Sequence, residues 1–343
     1  MSEVAQMTPE TGNSAARASF DSRIQEYLSK LKPSTKAVSE AALIQFREFY
    51  GSQGSIIDFY RRVYEDSKLH PLDQKRVDTN TVAAFVAWLV PKYQNKTVRT
   101  YVGVLQSLGQ YLRIPFSARF TGMPPALVAT KKHSWELDEV AKFVESFDSP
   151  LYQSLATAYF QSGCDISTLG CLHYSDIQAE FEAGIVPILL DMARYKTKVP
   201  YLTFLGEWAT KYLRVWLESR GSVKPDERLW PVTKQAIDAY FHSRALSYAD
   251  IASFELRNPY SPHTLRAGCN THLRNHKADP IYTAFWMGHD VPEQEKVYVS
   301  KTHEGWRKTY VLMAEAWVTP PEFRRKELKD IAKAWAKANG LVE

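Results

Sequence analysis

Apolar residues recur at helical spacing from the start of the patterned chain. Phe20, Ile24, Tyr27, Leu28 and Leu31 share one face and predict a helix that stops before Pro33. Ser34 or Thr35 can start a second helix, through Val38, Ala42, Leu43, Phe46 and Tyr50, ending at Gly51. Asp78-Thr79-Asn80-Thr81 offers cap chemistry before an apolar run that closes at Leu89-Val90-Pro91. Val98, Tyr101, Leu105, Leu108 and Leu112 form one stripe that ends near Pro115. This pattern predicts four or five short helices over 18–115, an all-α domain behind a loose, Ser/Thr/Ala/Gly-rich leader at 1–17.

The period fades over 116–134, where Gly122, Pro124, Pro125 and Lys131-Lys132 read as a linker. Beyond it, amphipathic helices are expected at 135–147 and 151–161. Residues 184–190 and 200–204 alternate apolar and β-branched side chains around the polar turn Tyr195-Lys196-Thr197-Lys198, the signature of a β-hairpin or small sheet. Helices follow at 208–218, 234–245 and 262–274, with shorter ones at 282–286 and 310–317. The last, 322–338, interleaves six bases with Leu328, Ile331 and Trp335. The chain thus reads as mainly α: a helical domain at 18–115, then an α+β domain at 135–320 with one small sheet, then a helical tail at 321–343.

Composition narrows the class. A length of 343 residues is a prior for two domains, and 45% hydrophobic with 24% charged residues is a globular balance. The longest apolar run, Val82–Val90, has nine residues, against roughly 20 for a bilayer span. No secretory pattern opens the chain, and Cys164, Cys171 and Cys269 are too few and scattered for a disulfide framework or zinc site. The expected setting is therefore cytoplasmic, or associated with the nucleoid. A net charge of +5 permits nucleic acid without demanding it. Distribution says more: 143–193 contains no Lys or Arg and seven acids, Glu145, Asp148, Asp165, Asp176, Glu180, Glu182 and Asp191, while its flanks are basic. The plain reading of that window is a solvated acidic face.

Candidate chemistry concentrates at 261–310. His263 and Arg266 lie three apart on one predicted helix, so both can point at one anion. Gly288-His289 suggests a tight helix start from which a second imidazole reaches the same anion. Tyr298 follows nine residues later, and a basic hairpin precedes the set. These residues, in this order, resemble the tyrosine recombinase (phage integrase) family over roughly 18–320. The resemblance implies a SAM-like core-binding domain followed by a catalytic domain. His263 and Arg266 fall on the family's His-x-x-Arg box, His289 on its second His-or-Trp position, and Tyr298 on its nucleophile. Arg194-Tyr195-Lys196-Thr197 looks like the hairpin bearing the catalytic lysine, which points to Lys196. Lys198 is a rival for that lysine, and Tyr310 a more distant rival for the nucleophile.

The implied reaction is attack of the Tyr298 hydroxyl on a DNA phosphodiester, giving a 3′-phosphotyrosyl link and a free 5′-hydroxyl. The link conserves the bond energy, so rejoining needs neither nucleotide cofactor nor metal. Arg266 suits the phosphate oxygens, Lys196 the leaving oxygen, His263 the tyrosine proton and His289 a non-bridging oxygen. One position departs from the family. Where its first arginine stands, this chain has Asp165, within Gly163-Cys164-Asp165-Ile166-Ser167-Thr168, and Thr168 replaces a supporting acid. Three accounts follow. Another cation such as Arg194 fills the vacancy while Asp165 orients Lys196 or His263; or the protein binds DNA and regulates without cutting; or the chemistry is a different one. Lys96, Arg99, Lys131, Lys132 and Arg194 are the expected contacts to double-stranded DNA, gripped as by a clamp. The basic tail is expected to join protomers of a homo-tetramer, or else to lie on its own domain or on DNA.

Overall fold

The structure, a computed structural model, describes residues 20–116, 122–125, 133, 135–195, 197–254, 258–292 and 301–342. The chain divides into two compact units, Met1–Ala129 and Thr130–Glu343, and the division falls inside the expected linker.

Among the described residues the first unit packs five helices, α1 (Ser22–Ser29), α2 (Pro33–Tyr50), α3 (Ile56–Ser67), α4 (Val77–Leu89) and α5 (Asn95–Tyr111). Pro33 does not merely end the first helix. It occupies the first turn of α2, where its fixed φ suits a helix and its missing N–H costs nothing. Helix α3 has a reciprocal capping box: Asp58 N donates to Ser55 Oγ at 3.1 Å, and Ser55 N donates to Asp58 Oδ2 at 3.0 Å. The cap expected at Asp78–Thr81 lies elsewhere. Helix α4 already starts at Val77, and Asp66 at the end of α3 accepts from Lys75 N at 2.7 Å and Val77 N at 3.0 Å. Backbone amides hold the Asp66 carboxyl below the usual range. Phe46 centres the core, stacked on Tyr50 and edge-on to Phe59 and Phe85. Burying such rings contributes roughly 1.5–3 kcal/mol each.

In the second unit, α6 (Leu137–Glu145) leads to α7 (Pro150–Ser162), whose residues from Ser154 to Ser162 are all buried. Trp135 anchors the core just before α6 rather than starting it. Helix α7 ends at Gly163, in the left-handed region, where a Cβ would sit 2.9 Å from Met287 Cε. After α8 (Ile166–Leu169) and α9 (Gln178–Glu182) comes an antiparallel pair, β1 (Ile188–Ala193) and β2 (Pro200–Leu205), in register from Ile188↔Leu205 to Ala193↔Pro200. Then follow α10 (Glu207–Arg220), α11 (Lys234–Ala249), α12 (Pro262–Asn275), α13 (Pro280–Trp286), α14 (His303–Met313) and α15 (Lys326–Ala338).

Buried polar groups on α7 tie these elements together. Gln161 Nε2 donates to Thr319 Oγ1 at 2.6 Å, and its Oε1 accepts from Ala209 N at 2.8 Å. Glu315, fully buried, accepts from Glu207 N at the start of α10 at 3.0 Å, and burial pushes its pKa up to about 7.

One expectation needs correction here. The acidic window is not simply a solvated face. Five of its acids are exposed, but the half-buried pair Asp165 and Glu180 are matched by Arg194 and Arg307 respectively. Glu180 also accepts from Leu189 N at 2.7 Å, so it fastens strand β1 to α14. The tail lies on its own unit: Leu328, Ala332 and Ala336 of α15 are buried, and Trp335 Nε1 donates to His276 O at 3.1 Å. Arg325, just before α15, reaches Glu207 at 3.3 Å and Glu315 at 3.8 Å. Among the described residues no helix is long and apolar enough to cross a membrane.

Candidate active site

The site is built around the turn Gly163-Cys164-Asp165. The left-handed turn at Gly163 exposes its carbonyl to α12, where Arg266 lies 7% exposed. Arg266 Nη1 donates to Gly163 O at 2.5 Å, and Nη2 donates to Met287 O at 2.7 Å. The same Nη2 lies 3.1 Å from His289 Nε2, across 23 residues of sequence. A guanidinium only donates, so Nε2 is the acceptor and the imidazole proton sits on Nδ1. Partial burial, then the positive fields of Arg266, Arg194 and Arg274, push the His289 pKa down, which favours the neutral ring.

His289 does not stand at a helix start. It follows the end of α13, where His289 N donates to Ala284 O at 3.0 Å and Gly288 N to Phe285 O at 2.8 Å. That is a Schellman ending with Gly288 left-handed, and it aims the next side chain back at Arg266. A Cβ at Gly288 would come within 3.0 Å of the Tyr201 ring, so glycine is required twice over. His263 lies exposed on the first turn of α12, whereas Arg266 one turn later faces inward.

The other edge of the site is held by the residues that depart from the family pattern. Asp165 caps α8 by accepting from Thr168 N at 3.0 Å. Its second oxygen accepts from Arg194 Nε at 3.1 Å, the two side chains being 21% and 24% exposed. Thr168 Oγ1 accepts from Tyr195 N at 3.0 Å, so α8 grips the backbone where β1 enters the hairpin loop. Arg194 N donates to Val199 O at 2.8 Å and Lys198 N to Arg194 O at 2.7 Å, closing that loop. Lys198 is exposed, with its ammonium 4.9 Å from the Tyr195 ring centroid.

Tyr298 and Lys196 lie outside the described residues, as do Lys131 and Lys132. Tyr310 is ruled out as a rival nucleophile. Its hydroxyl donates to Gln161 O at 3.2 Å, its ring packs on Phe204 and Trp286, and burial pushes its pKa well up. Lys96 and Arg99 are both exposed on α5, but Arg99 Nη1 donates to Pro124 O at 3.1 Å, so it also holds its own unit together. Burial pushes the Cys164 thiol up to about 11 and the Cys269 thiol to about 12, which leaves both unreactive. Among the described residues no group of His, Cys, Asp and Glu could hold a metal ion. Sequence reasoning missed the backbone acceptors at Gly163 and Met287 and the anchor at Thr168. Only a residue type with a spare hydroxyl, next to a cap, hinted at the last.

Comparison with known proteins extends this geometry. Residues 136–304 match the phage integrase family model. The tyrosine recombinase XerD of Ralstonia nicotianae is 24% identical over 174 residues, which cover 46% of this chain and 51% of that protein. XerD of Staphylococcus epidermidis is 23% identical over 272 residues, covering 73% of this chain and 87% of that protein. The chain therefore spans about half the length of the first relative and most of the second. Among solved structures, the XerH site-specific recombinase in its post-cleavage complex with a palindromic difH substrate superposes with a TM-score of 0.53 at 16% identity, over 80% of this chain and 78% of that one. The Tn1549 transposon integrase in complex with a circular intermediate DNA gives 0.52 at 15% identity, over 78% and 98%. At such identities the structures speak for the fold alone.

Proposed function

We propose that this chain, whose residues 136–304 match the phage integrase family model, is a site-specific recombinase that breaks and rejoins DNA through Tyr298. The observation that carries this reading is the meeting of Arg266, on α12, and His289, just past the end of α13, at 3.1 Å beside the turn Gly163-Cys164-Asp165. Both are groups suited to bind one phosphate.

In this reaction the Tyr298 oxygen attacks phosphorus, the bond to the 5′ oxygen breaks, and the electron pair leaves with that oxygen. His263 takes the phenolic proton, which a group of ordinary pKa near 10 does not release unaided at neutral pH. Lys196 gives a proton to the 5′ oxygen, Arg266 binds a non-bridging oxygen, and His289 donates Nδ1–H. A second DNA end reverses the sequence and frees the enzyme, without nucleotide cofactor or metal. Lys96, Arg99, Lys131, Lys132 and Arg194 supply phosphate contacts, so affinity falls steeply with salt. Four protomers assemble on paired DNA sites, and α15 leaves its own unit to join neighbours; the expected place of action is the cytoplasm or nucleoid.

The test uses the full chain and nicked duplexes, their sequence selected from a random pool by binding. An adduct that resists SDS is expected from the wild type and none from Tyr298→Phe. Sequence-preferring DNA binding with no adduct would mean a regulator that does not cut, and would overturn the reading.

A further inference from the structure

Arg266 alone is poorly equipped to neutralise the phosphate during strand cleavage. Both of its terminal nitrogens already serve backbone carbonyls, and one of them also serves His289. The position that should bring a second guanidinium carries a carboxylate, and no Lys or Arg lies between 143 and 193 to stand in. The first base beyond that stretch is Arg194, and it is the one Asp165 holds.

We propose that Arg194, delivered from the hairpin and oriented by Asp165, is the second phosphate-binding arginine of the strand-cleavage reaction, and that Asp165 is its positioning residue. This rests on the recombinase reading above. Asp165 accepts only the Nε proton of Arg194, so both Nη groups are without a hydrogen-bond partner among the described residues. That leaves a planar fork of the kind that matches two phosphate oxygens. The carboxylate is itself fixed, because its other oxygen caps α8. The backbone beside Arg194 is fixed too, through Tyr195 N and Thr168 Oγ1 at 3.0 Å. Asp165 stands two residues from Gly163, whose carbonyl holds Arg266, so one short turn sets both guanidinium groups. The lowered pKa of His289, to which Arg194 contributes after burial and Arg266, agrees with a shared site. The cation thus comes from the hairpin rather than from the helix turn, and the turn carries the acid that aims it.

The competing role for Arg194 is to neutralise Asp165, and a pair of variants separates the two. Adduct formation on the nicked duplexes is timed for the wild type, Arg194→Ala and the double variant Arg194→Ala/Asp165→Asn, with thermal melting as a check on folding. If Arg194 binds the phosphate, Arg194→Ala is slowed about 10²–10³-fold at an unchanged melting temperature, and the double variant stays as slow. An Arg194→Ala rate within about threefold of wild type overturns the proposal, being far below the loss expected for a charge-stabilising donor. So does recovery of the wild-type rate in the double variant, since Arg194 would then only have balanced a charge. Absence of any adduct from the wild type is a different failure: it overturns the recombinase reading, and this inference with it.

Discussion

Arg266 and Arg194 approach the same turn, Gly163 to Asp165, one from the interior and the other from the rim. Arg266 is sealed, with two carbonyls and an imidazole around it. Arg194 is partly open to solvent and held by one carboxylate at 3.1 Å. A buried charge must have its hydrogen bonds satisfied or it costs several kcal/mol, so the inner arginine is as much a structural member as a ligand. The outer one is half-buried, so water screens its ion pair only in part, and the pair contributes roughly 1 kcal/mol. If both arginines bind the phosphate as proposed, stability and chemistry are coupled at one and separable at the other.

The strongest way to break that contrast is to delete each arginine and melt the protein. Arg266→Ala leaves the carbonyls of Gly163 and Met287 without their donor. It is expected to cost about 3 kcal/mol or more, given that hydrogen bonds to charged groups contribute about 1.5–3 kcal/mol each. The unit should melt on the order of 10 °C lower. Arg194→Ala should move the melting temperature by about 2 °C or less. Equal shifts would show that the two sites are built alike.

A second prediction probes the interior further, at Glu315. Its pKa is raised from 4.5 to about 7, so between those values the folded state binds a proton that the unfolded chain does not. The stability it contributes is full below pH 4.5 and is lost as pH rises through 7. The span is on the order of 3 kcal/mol. Glu315→Gln should flatten the melting profile in this window and raise the melting temperature at pH 8. His272 and His289, whose pKa values burial lowers, act the other way, losing stability as pH falls below about 6.5. The difference between variant and wild type isolates the glutamate. An unchanged slope would mean that Glu315 stays ionised, paired to Arg325.

The smallest expected effect is at the rim. Thr168→Val keeps the shape but removes the acceptor of Tyr195 N. It should cost about 1 kcal/mol and loosen the hairpin entry, slowing adduct formation more than it lowers the melting temperature. A stability loss without a rate loss would separate the hairpin anchor from the chemistry.

Much of the fold was legible in the chain because helices announce themselves locally. Stripes such as Ile24, Tyr27 and Leu28, or Val98, Tyr101 and Leu105, point inward as the period demands. The apolar pattern does not single out helix α3, although its capping box stands in the sequence at Ser55 and Asp58. The start of α4 was misplaced because its cap comes from Asp66, across a loop. Within the site, Arg266 and His289 were legible as motif residues, and the structure brings them together. The orientation of Gly288-His289 was misread, because a glycine before a polar residue serves a helix end as readily as a start.

The sequence by itself determined the order and kind of most of the elements, because these depend on residue type and on spacing within one or two turns; that an acid stands where an arginine was due came only from the family resemblance. Only the tertiary structure decided which carboxylate meets which guanidinium, whether Tyr310 is reactive or core, and on what the tail helix rests. Asp165 and Arg194 are 29 residues apart, and Tyr310 and Gln161 are 149 apart. No local rule spans such distances. Those pairings follow from how α7, the hairpin and α12 pack, and packing is a property of the whole unit rather than of any segment.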